Sequence, residues 1–211
     1  MAGIHVDSTL PKEAFVIPHH YYDDVESVLI PHGLILNRID KLAQDIANDS
    51  EGPIIACCVL KGASVFYADL MNALRKVRTP HQKSIPFSYE FMKVKSYEND
   101  KSTGQVKISL SEDELRSYKS KHLLIVEDIV DTGRTMVALL ERLKTYEPAS
   151  IRVVSMLVKR TPESNGYFPD YSGFSIMDQF VVGYGLDYNE MFREMEHICI
   201  ISETGKVKYA M

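Results

Sequence analysis

Residues 123–135 read LLIVEDIVDTGRT, and this stretch holds the succession of elements that decides the fold. Four apolar residues lead into the acidic pair Glu127 and Asp128, and a polar loop then runs to Thr135, where an amphipathic stretch begins. A short, near-continuous apolar run is typical of a strand that is buried on both faces. The stretch therefore predicts a strand, a loop at its carboxyl end and a helix after the loop.

The same alternation continues on both sides of this stretch. Apolar runs lie at residues 54–60 (IIACCVL), 151–158 (IRVVSMLV) and 180–183 (FVVG), and amphipathic stretches lie at residues 37–48, 66–77 and 135–146. Strands that alternate with helices predict a parallel sheet with right-handed crossovers. The fold class is therefore α/β, with a parallel, twisted sheet flanked by helices. Because no repeat or low-complexity linker divides the chain, we predict one domain over residues 1–211.

The two ends and one internal segment follow different patterns. Residues 1–36 and 184–211 are punctuated by Pro and Gly and hold short apolar runs such as HICII, after which ETGK predicts a glycine turn. We expect these ends to come together as a small hood over the sheet. Residues 96–121 are polar, and a connection of this length in a compact domain is usually a functional lid or a disordered loop. We therefore expect a flexible lid there.

Composition excludes several classes of protein. The 24 Lys and Arg residues against 29 Asp and Glu give a net charge of −5, which argues against a nucleic-acid partner held by a general basic field. No apolar run approaches the roughly 18–20 residues that span a membrane, and the first residues lack a signal-peptide pattern. Cys57, Cys58 and Cys199 lie in apolar runs without metal-ligand spacing, which indicates a reducing, cytoplasmic location.

The loop after the acidic pair has the chemistry of an anion site. Thr132 and Thr135 offer hydroxyl groups, Gly133 permits a close approach of the backbone, and free N–H groups at the start of a helix attract anions. The neighbouring carboxylates would repel a phosphate, so we expect them to face a sugar diol, a cation or an ionisable base. A plainer interpretation is also open, in which Asp131 or Thr132 only caps the helix.

This loop resembles the phosphoribosyl-diphosphate motif of the type I phosphoribosyltransferases. Further segments are similar to hypoxanthine-guanine phosphoribosyltransferases of the animal type, namely LIPHG (29–33), VLKG (59–62), VKSY (94–97), LVKRTP (157–162), FVVGYGLDYNEMFR (180–193) and ISETGK (201–206). They follow the family's order along nearly the whole chain. The resemblance implies a type I phosphoribosyltransferase core, Mg²⁺ as cofactor and a homodimer or homotetramer. It also implies a purine-salvage reaction that joins phosphoribosyl diphosphate and a 6-oxopurine, giving IMP or GMP and diphosphate.

The resemblance implies roles for individual residues around the ribose and its phosphate. Asp131 corresponds to the general base that faces N7 of the purine. Glu127 and Asp128 correspond to the pair that holds the ribose hydroxyls and the water shell of magnesium. The cradle of the 5-phosphate corresponds to four consecutive residues, Thr132, Gly133, Arg134 and Thr135.

Further roles concern the base and the diphosphate. Lys159 corresponds to the donor to the 6-oxo group, Phe180 to the aromatic ring that stacks on the purine, and Val181 to a backbone contact with the base edge. Asp187 corresponds to the ligand of a second magnesium ion. The other residues that the resemblance assigns to substrate binding are Lys61, Gly62 and Arg193 at the diphosphate, Leu186 beside Asp187, and Ser96 and Tyr97 of the lid.

Four positions depart from the family's pattern, and one of them, Arg134 in place of Lys, keeps the charge. Ala63 stands where a second Gly is usual, and a Cβ there would cost about 1–2 kcal/mol if the position needs a positive φ. Gly185 replaces Ala, which predicts a looser metal loop, and Lys93 replaces Arg near the lid. Ala63 and Lys93 favour one alternative, a weakly active paralogue that binds purine nucleotide for regulation. The other alternative is a salvage enzyme for another base, such as xanthine or a pyrimidine, or a structural partner protein.

Overall fold

A computed structural model describes residues 3–77, 84–96 and 106–211, which form two sheets and five α-helices. In chain order the strands are β1 (Ile4–Val6), β2 (Leu10–Pro11), β3 (Val25–Ile30), β4 (Ile54–Leu60), β5 (Phe87–Ser96), β6 (Val106–Ile108), β7 (His122–Val130), β8 (Ser150–Arg160), β9 (Tyr171–Met177), β10 (Val181–Val182) and β11 (Ile198–Ile201). The helices are α1 (His32–Asp49), α2 (Ser64–Lys76), α3 (Glu112–Arg116), α4 (Arg134–Lys144) and α5 (Glu203–Lys208). In these ranges, none of the helices has both the length and the apolar composition that a membrane span needs.

The larger sheet has the strand order β1-β9-β8-β7-β4-β5-β6. Its neighbouring strands run parallel, apart from the antiparallel pair β5 and β6. The predicted α/β class with a mostly parallel sheet is confirmed. The sequence pattern does not predict β5 or β9. Strand β5 mixes polar and apolar residues, and β9 carries Ser172, Gly173 and Ser175, which are buried although small or polar.

Alternate residues of the central strands point to opposite faces of this sheet. On β4, Ala56 and Cys58 belong to the apolar cluster that α1 and α2 complete, whereas Cys57 and Val59 belong to the cluster that α3 and α4 complete. A strand that helices cover on both faces has a continuous apolar sequence. The thiols of all three cysteines are buried, and burial raises the pKa of each to about 12, so they act as small apolar side chains.

The smaller sheet is antiparallel, has the order β10-β11-β3-β2 and draws on both ends of the chain. The prediction that residues 180–183 form a strand of the parallel sheet is wrong, because Val181–Val182 pair with β11. Gly183, with a φ of +92°, turns the chain away after these two residues. Ile4–Val6 pair with β9 in the larger sheet, although they lie within the first predicted hood segment. The hood boundaries at residues 1–36 and 184–211 stay a prediction.

The chain ends in a helix where the sequence predicts a glycine turn. Ser202 caps α5 by accepting a hydrogen bond from Gly205 N at 3.0 Å. A Cβ at Gly205 would stand 2.5 Å from the backbone oxygen of Asp24, so glycine here permits close packing within a helix. The buried Asp24 carboxylate accepts hydrogen bonds from Lys208 Nζ at 2.6 Å and Tyr209 OH at 3.2 Å. These contacts fasten α5 to the segment before β3.

The predicted lid, residues 96–121, is described from Val106 onward. This part holds β6, which pairs with the end of β5, and α3, which begins at a capping box between Ser111 and Glu114. Ser96 is the last residue of β5. Tyr97 lies outside the described residues, and the flexibility of the lid stays a prediction.

Candidate active site

The carboxyl ends of β4, β7 and β8 meet at one edge of the larger sheet, where most of the predicted site residues lie. Lys61 and Gly62 follow β4, residues 131–135 follow β7, and Lys159 is in the last pair of residues of β8. Open α/β sheets bind their ligands outside this edge. The fold therefore brings three predicted segments together.

The loop after β7 leads into a helix N-terminus with free backbone donors. Gly133 is the N-cap residue of α4, with a φ of +79°, and as a glycine it has no side chain that could cap the helix. Asp131 and Thr132 therefore do not hold the N-cap position, although Thr132 Oγ1 accepts a hydrogen bond from Arg134 N at 3.5 Å. Beside the loop is a cavity of about 100 Å³, lined by Glu127, Ile129, Val130, Asp131, Thr132, Gly133, Thr135 and Met136.

The segment after β8 supports this loop. Asn165 N donates to Thr132 O at 2.9 Å, and Asn165 Oδ1 accepts a hydrogen bond from Tyr167 N at 3.0 Å. A Cβ on Gly133 would stand 2.4 Å from Asn165 Oδ1, so the amide packs directly against the glycine. The sequence analysis assigns no role to Asn165, because this contact joins two loops that are distant along the chain.

Lys159 lies between two carboxylates. Its Nζ is 3.0 Å from Asp131 Oδ2 and 3.7 Å from Asp178 Oδ1. The Lys159 side chain is 12% exposed, whereas both aspartates are about half exposed. The lysine therefore buries its stem and presents its ammonium group to the site. Asp178 is absent from the sequence prediction, since no pattern distinguishes it from a surface acid.

Glu127 and Asp128 lie side by side near the carboxyl end of β7, both partly buried. Burial, and after it the neighbouring charge of Asp128, raises the pKa of Glu127 well above its ordinary value. Ile129 N donates to Asp128 Oδ1 at 2.7 Å. The same carboxylate fills the space beside Gly62, where a Cβ would stand 1.5 Å from Asp128 Oδ2. The fold thus holds two carboxyl groups together although their charges repel.

Glu127→Gln is expected to raise the melting temperature at neutral and alkaline pH. A raised native pKa means that stability is greatest below the unfolded value of about 4.3 and is lost as pH rises through the native pKa. Gln cannot ionise and avoids this loss. For a domain of this size, each 1 kcal/mol corresponds to roughly 2–4 °C. Calorimetric melting between pH 5 and 8 measures the gap between variant and wild type.

The control for this prediction is Glu141→Gln, on the exposed face of α4. Its melting temperature should follow that of the wild type at every pH. The difference in melting temperature between Glu127→Gln and the wild type should widen as pH rises. If it stays constant or narrows, burial does not raise the pKa of Glu127 as described.

The loop after β10 lies beside Lys61. Arg193 pairs with Asp187 Oδ1 at 2.8 Å, and Asp187 Oδ2 accepts a hydrogen bond from Glu190 N at 2.8 Å. Glu190 Oε2 is 2.8 Å from Lys61 Nζ, and its Oε1 is 3.4 Å from Arg193. The predicted residues Lys61, Asp187 and Arg193 are therefore joined through Glu190. The sequence analysis assigns no role to Glu190, although it lies inside the quoted 180–193 motif.

Two departures from the family's pattern fit their surroundings. Ala63 has a φ of −71° and a ψ of −3°, so the strain expected of a Cβ at a positive φ does not arise. Gly185 has a φ of +94°, and a Cβ there would stand 2.2 Å from Gly62 O. Its carbonyl accepts a hydrogen bond from Arg193 at 2.8 Å. The expectation of a looser loop at Gly185 is wrong, because this backbone packs tightly against Gly62.

The aromatic residue predicted at the base position is exposed. Phe180 is 45% exposed, and its ring meets that of Tyr188 edge to face, with 5.3 Å between the centroids. This exposure leaves ring surface on which a planar ligand can stack. Val181 and Leu186 are buried in the larger apolar cluster.

Comparison with known proteins identifies the family of the chain. Residues 28–189 match the family model of the phosphoribosyl transferase domain. Over 198 residues, the chain is 51% identical to the hypoxanthine-guanine phosphoribosyltransferase of Canis lupus familiaris and 50% identical to that of Homo sapiens, which is 93% of this chain and 90% of each relative. The chain belongs to the hypoxanthine-guanine phosphoribosyltransferase family.

A solved structure from the hypoxanthine-guanine phosphoribosyltransferase family supports the fold over the full chain. The enzyme from Schistosoma mansoni, in complex with IMP, has a TM-score of 0.83 and 34% identity, and the match covers 100% of both chains. The family resemblance, the fold class and the assignment as a phosphoribosyltransferase are confirmed. The weakly active regulatory paralogue is not favoured. The roles of individual residues stay predictions, supported by the contacts above.

The hypoxanthine-guanine phosphoribosyltransferases are an enzyme class that needs a divalent metal ion. Among the described residues, no group of three or more His, Cys, Asp and Glu side chains could hold one. Mg²⁺, however, is usually bound by one or two carboxylates, with water and substrate phosphates completing its shell. Glu127 with Asp128 at the end of β7, and Asp187 separately in the loop after β10, offer carboxylate oxygens, which fit hard divalent ions that a phosphorylated substrate also binds.

Proposed function

We propose that this chain transfers the 5-phosphoribosyl group of phosphoribosyl diphosphate to N9 of hypoxanthine or guanine, giving IMP or GMP and diphosphate. The observation that carries the proposal is the 3.0 Å distance between Lys159 Nζ and Asp131 Oδ2. The 6-oxo group and N7 are neighbours on one edge of a 6-oxopurine. Lys159 can donate a hydrogen bond to the 6-oxo group while Asp131 accepts one from N7–H. The pair therefore matches a 6-oxopurine whose N7 carries a proton.

Asp131 acts as the general base in this reaction. The bond between C1 of the ribose and the diphosphate oxygen breaks, and its electron pair leaves with diphosphate. The ribose then has the character of an oxocarbenium ion, and N9 forms the new bond to C1. The Asp131 carboxylate takes the N7 proton, which keeps the purine neutral. Phe180 stacks on the ring, Val181 contacts the base edge, and Leu186 lines the same side.

The ribose phosphate lies at the end of β7. The free N–H groups and hydroxyls of residues 132–135, with the Arg134 guanidinium, hold the 5-phosphate at the start of α4. Glu127 and Asp128 accept hydrogen bonds from the ribose hydroxyls. This division places donors at the anionic phosphate and acceptors at the sugar, whose neutral hydroxyl groups donate hydrogen bonds.

The diphosphate lies between Lys61 and Arg193, which supply positive charge from two different elements. Gly62 lets the backbone approach it closely. Glu127 and Asp128 would hold the water shell of one Mg²⁺ at the ribose, and Asp187 would be a ligand of a second. When bound, such ions would neutralise charge on the diphosphate and make it a better leaving group. By the family resemblance, Ser96 and Tyr97 would exclude water from the developing cation.

The proposal includes the setting in which the enzyme works. We place it in the cytoplasm as a homodimer or homotetramer, without nucleic-acid or membrane partners. The net charge of −5 and the three free, buried cysteines support this setting.

The test is a product assay on the purified chain with magnesium, phosphoribosyl diphosphate and one base at a time. Hypoxanthine and guanine should yield IMP and GMP, with one diphosphate released per nucleotide, and adenine should yield none. If both 6-oxopurines yield nothing while IMP binds in calorimetry, the regulatory alternative is favoured instead. Product with xanthine alone would indicate a salvage enzyme for that base.

A further inference from the structure

The carboxylate of Glu190 bridges the two cations that the proposed function assigns to diphosphate. Its Oε2 is 2.8 Å from Lys61 Nζ and its Oε1 is 3.4 Å from Arg193. The side chains of Glu190 and Lys61 are both 57% exposed, so the bridge lies on the open side of the site. An anionic group of the protein already occupies the place where these cations meet.

The backbone holds Glu190 in this place. Asn189 and Glu190 have φ values of +50° and +68°, which are uncommon for residues other than glycine and persist where other contacts fix them. Those contacts are hydrogen bonds from Asn189 Nδ2 to Tyr209 O at 2.7 Å and from Glu190 N to Asp187 Oδ2 at 2.8 Å. The bridge thus originates from a defined turn rather than from a freely rotating surface side chain.

We propose that Glu190 is an internal counter-anion that diphosphate displaces on binding, so that it sets the affinity of the site for diphosphate-bearing ligands. This inference rests on the proposed function. Diphosphate takes over the contacts with Lys61 and Arg193, and the displaced carboxylate turns to solvent because two anions at this spacing repel. The competition weakens retention of the product diphosphate and therefore favours its release. Glu190 acts through the two cations and is a positioning residue.

The test measures binding of inorganic diphosphate, in the presence of magnesium, to the full chain by calorimetry. For Glu190→Gln, the dissociation constant should fall about two- to ten-fold, the range that corresponds to losing one or two exposed ion pairs. Glu190→Asp keeps the charge but is one methylene shorter, and it should also bind diphosphate more tightly than the wild type. The affinity for IMP, which carries no diphosphate, should not change in either variant.

The control for net charge is Glu196→Gln, in which the lost carboxylate is 71% exposed and lies 3.9 Å from His32. It should bind diphosphate as the wild type does. Unchanged or weaker binding by Glu190→Gln overturns the inference, and so does tighter binding by Glu190→Gln when Glu190→Asp equals the wild type. If the wild type forms IMP but the Glu190 variants bind diphosphate no more tightly than the wild type, this inference alone is overturned. A wild type that neither forms IMP nor binds diphosphate overturns the proposed function as well.

Discussion

Replacing Asp131 with Asn lowers the turnover number with hypoxanthine about 10²–10⁴-fold, the range that a lost general base produces. Asn has nearly the same shape, and its carbonyl can still accept the hydrogen bond that Lys159 donates at 3.0 Å. The amide cannot, however, take up the N7 proton. The Michaelis constant for phosphoribosyl diphosphate stays nearly unchanged, because the phosphate cradle and the diphosphate cations keep their contacts.

Initial rates with both substrates varied provide the measurement for Asp131→Asn. The matched control is Asp178→Asn, which removes the other carboxylate near Lys159, at 3.7 Å, and should retain most of the activity. If Asp131→Asn turns over as fast as the wild type, Asp131 is not the base. If both variants lose activity equally, the loss follows from the environment of Lys159 instead.

Lys159→Met lowers kcat/KM for hypoxanthine and guanine about 10–100-fold, because a hydrogen bond from a charged donor contributes roughly 1.5–3 kcal/mol. Met replaces the aliphatic stem of Lys159, whose side chain is 12% exposed, and removes the ammonium group. In the same variant, the ratio of kcat/KM for the 6-oxopurines to kcat/KM for adenine becomes smaller. Adenine presents an amino group where the 6-oxo group would be, so in the wild type two donors face each other.

The comparison for Lys159→Met is Lys61→Met, which removes a cation from the diphosphate side. It should raise the Michaelis constant for phosphoribosyl diphosphate and leave the choice between bases unchanged. Steady-state assays with hypoxanthine, guanine and adenine separate the two profiles. An equal loss of affinity for phosphoribosyl diphosphate and for the base in Lys159→Met would contradict the assignment of this lysine to the 6-oxo group.

Strands that helices cover on both faces could be predicted from the sequence. Residues 54–60, 123–126 and 151–158 all lie in strands of the larger sheet, because continuous burial selects a continuous apolar run. Strand β9 is buried too but carries serines, and Gly173 lies where a Cβ would stand 2.5 Å from Met156 O. A small residue is needed at Gly173 because the backbone of the neighbouring strand β8 lies so close. The local sequence does not show which backbone will be the neighbour, so its pattern could not predict β9.

The same difference separates the site residues that the sequence predicts from those that it misses. Asp131 and the acidic pair before it follow one apolar run, so a single stretch of chain specifies their place at the sheet edge. Asn165, Asp178 and Glu190 contact residues on other elements, namely Thr132, Lys159 and Lys61. Such contacts depend on how the β8 and β10 connections fold back, and no spacing of residue types encodes that geometry.

The connection between Lys159 and Asn165 has a consequence for how the enzyme handles its product. In the proposed site, Lys159 at one end of this short segment contacts the purine, and Asn165 at the other end donates to Thr132 O in the turn assigned to the phosphate. A mononucleotide, being one covalent molecule, cross-links these ends when it binds. Once the base or the phosphate of the nucleotide is bound, binding of the other group is intramolecular and occurs at a high effective concentration. The nucleotide should consequently stiffen the turn more than a free base and a separate sugar phosphate together, and both ends must detach before it can depart.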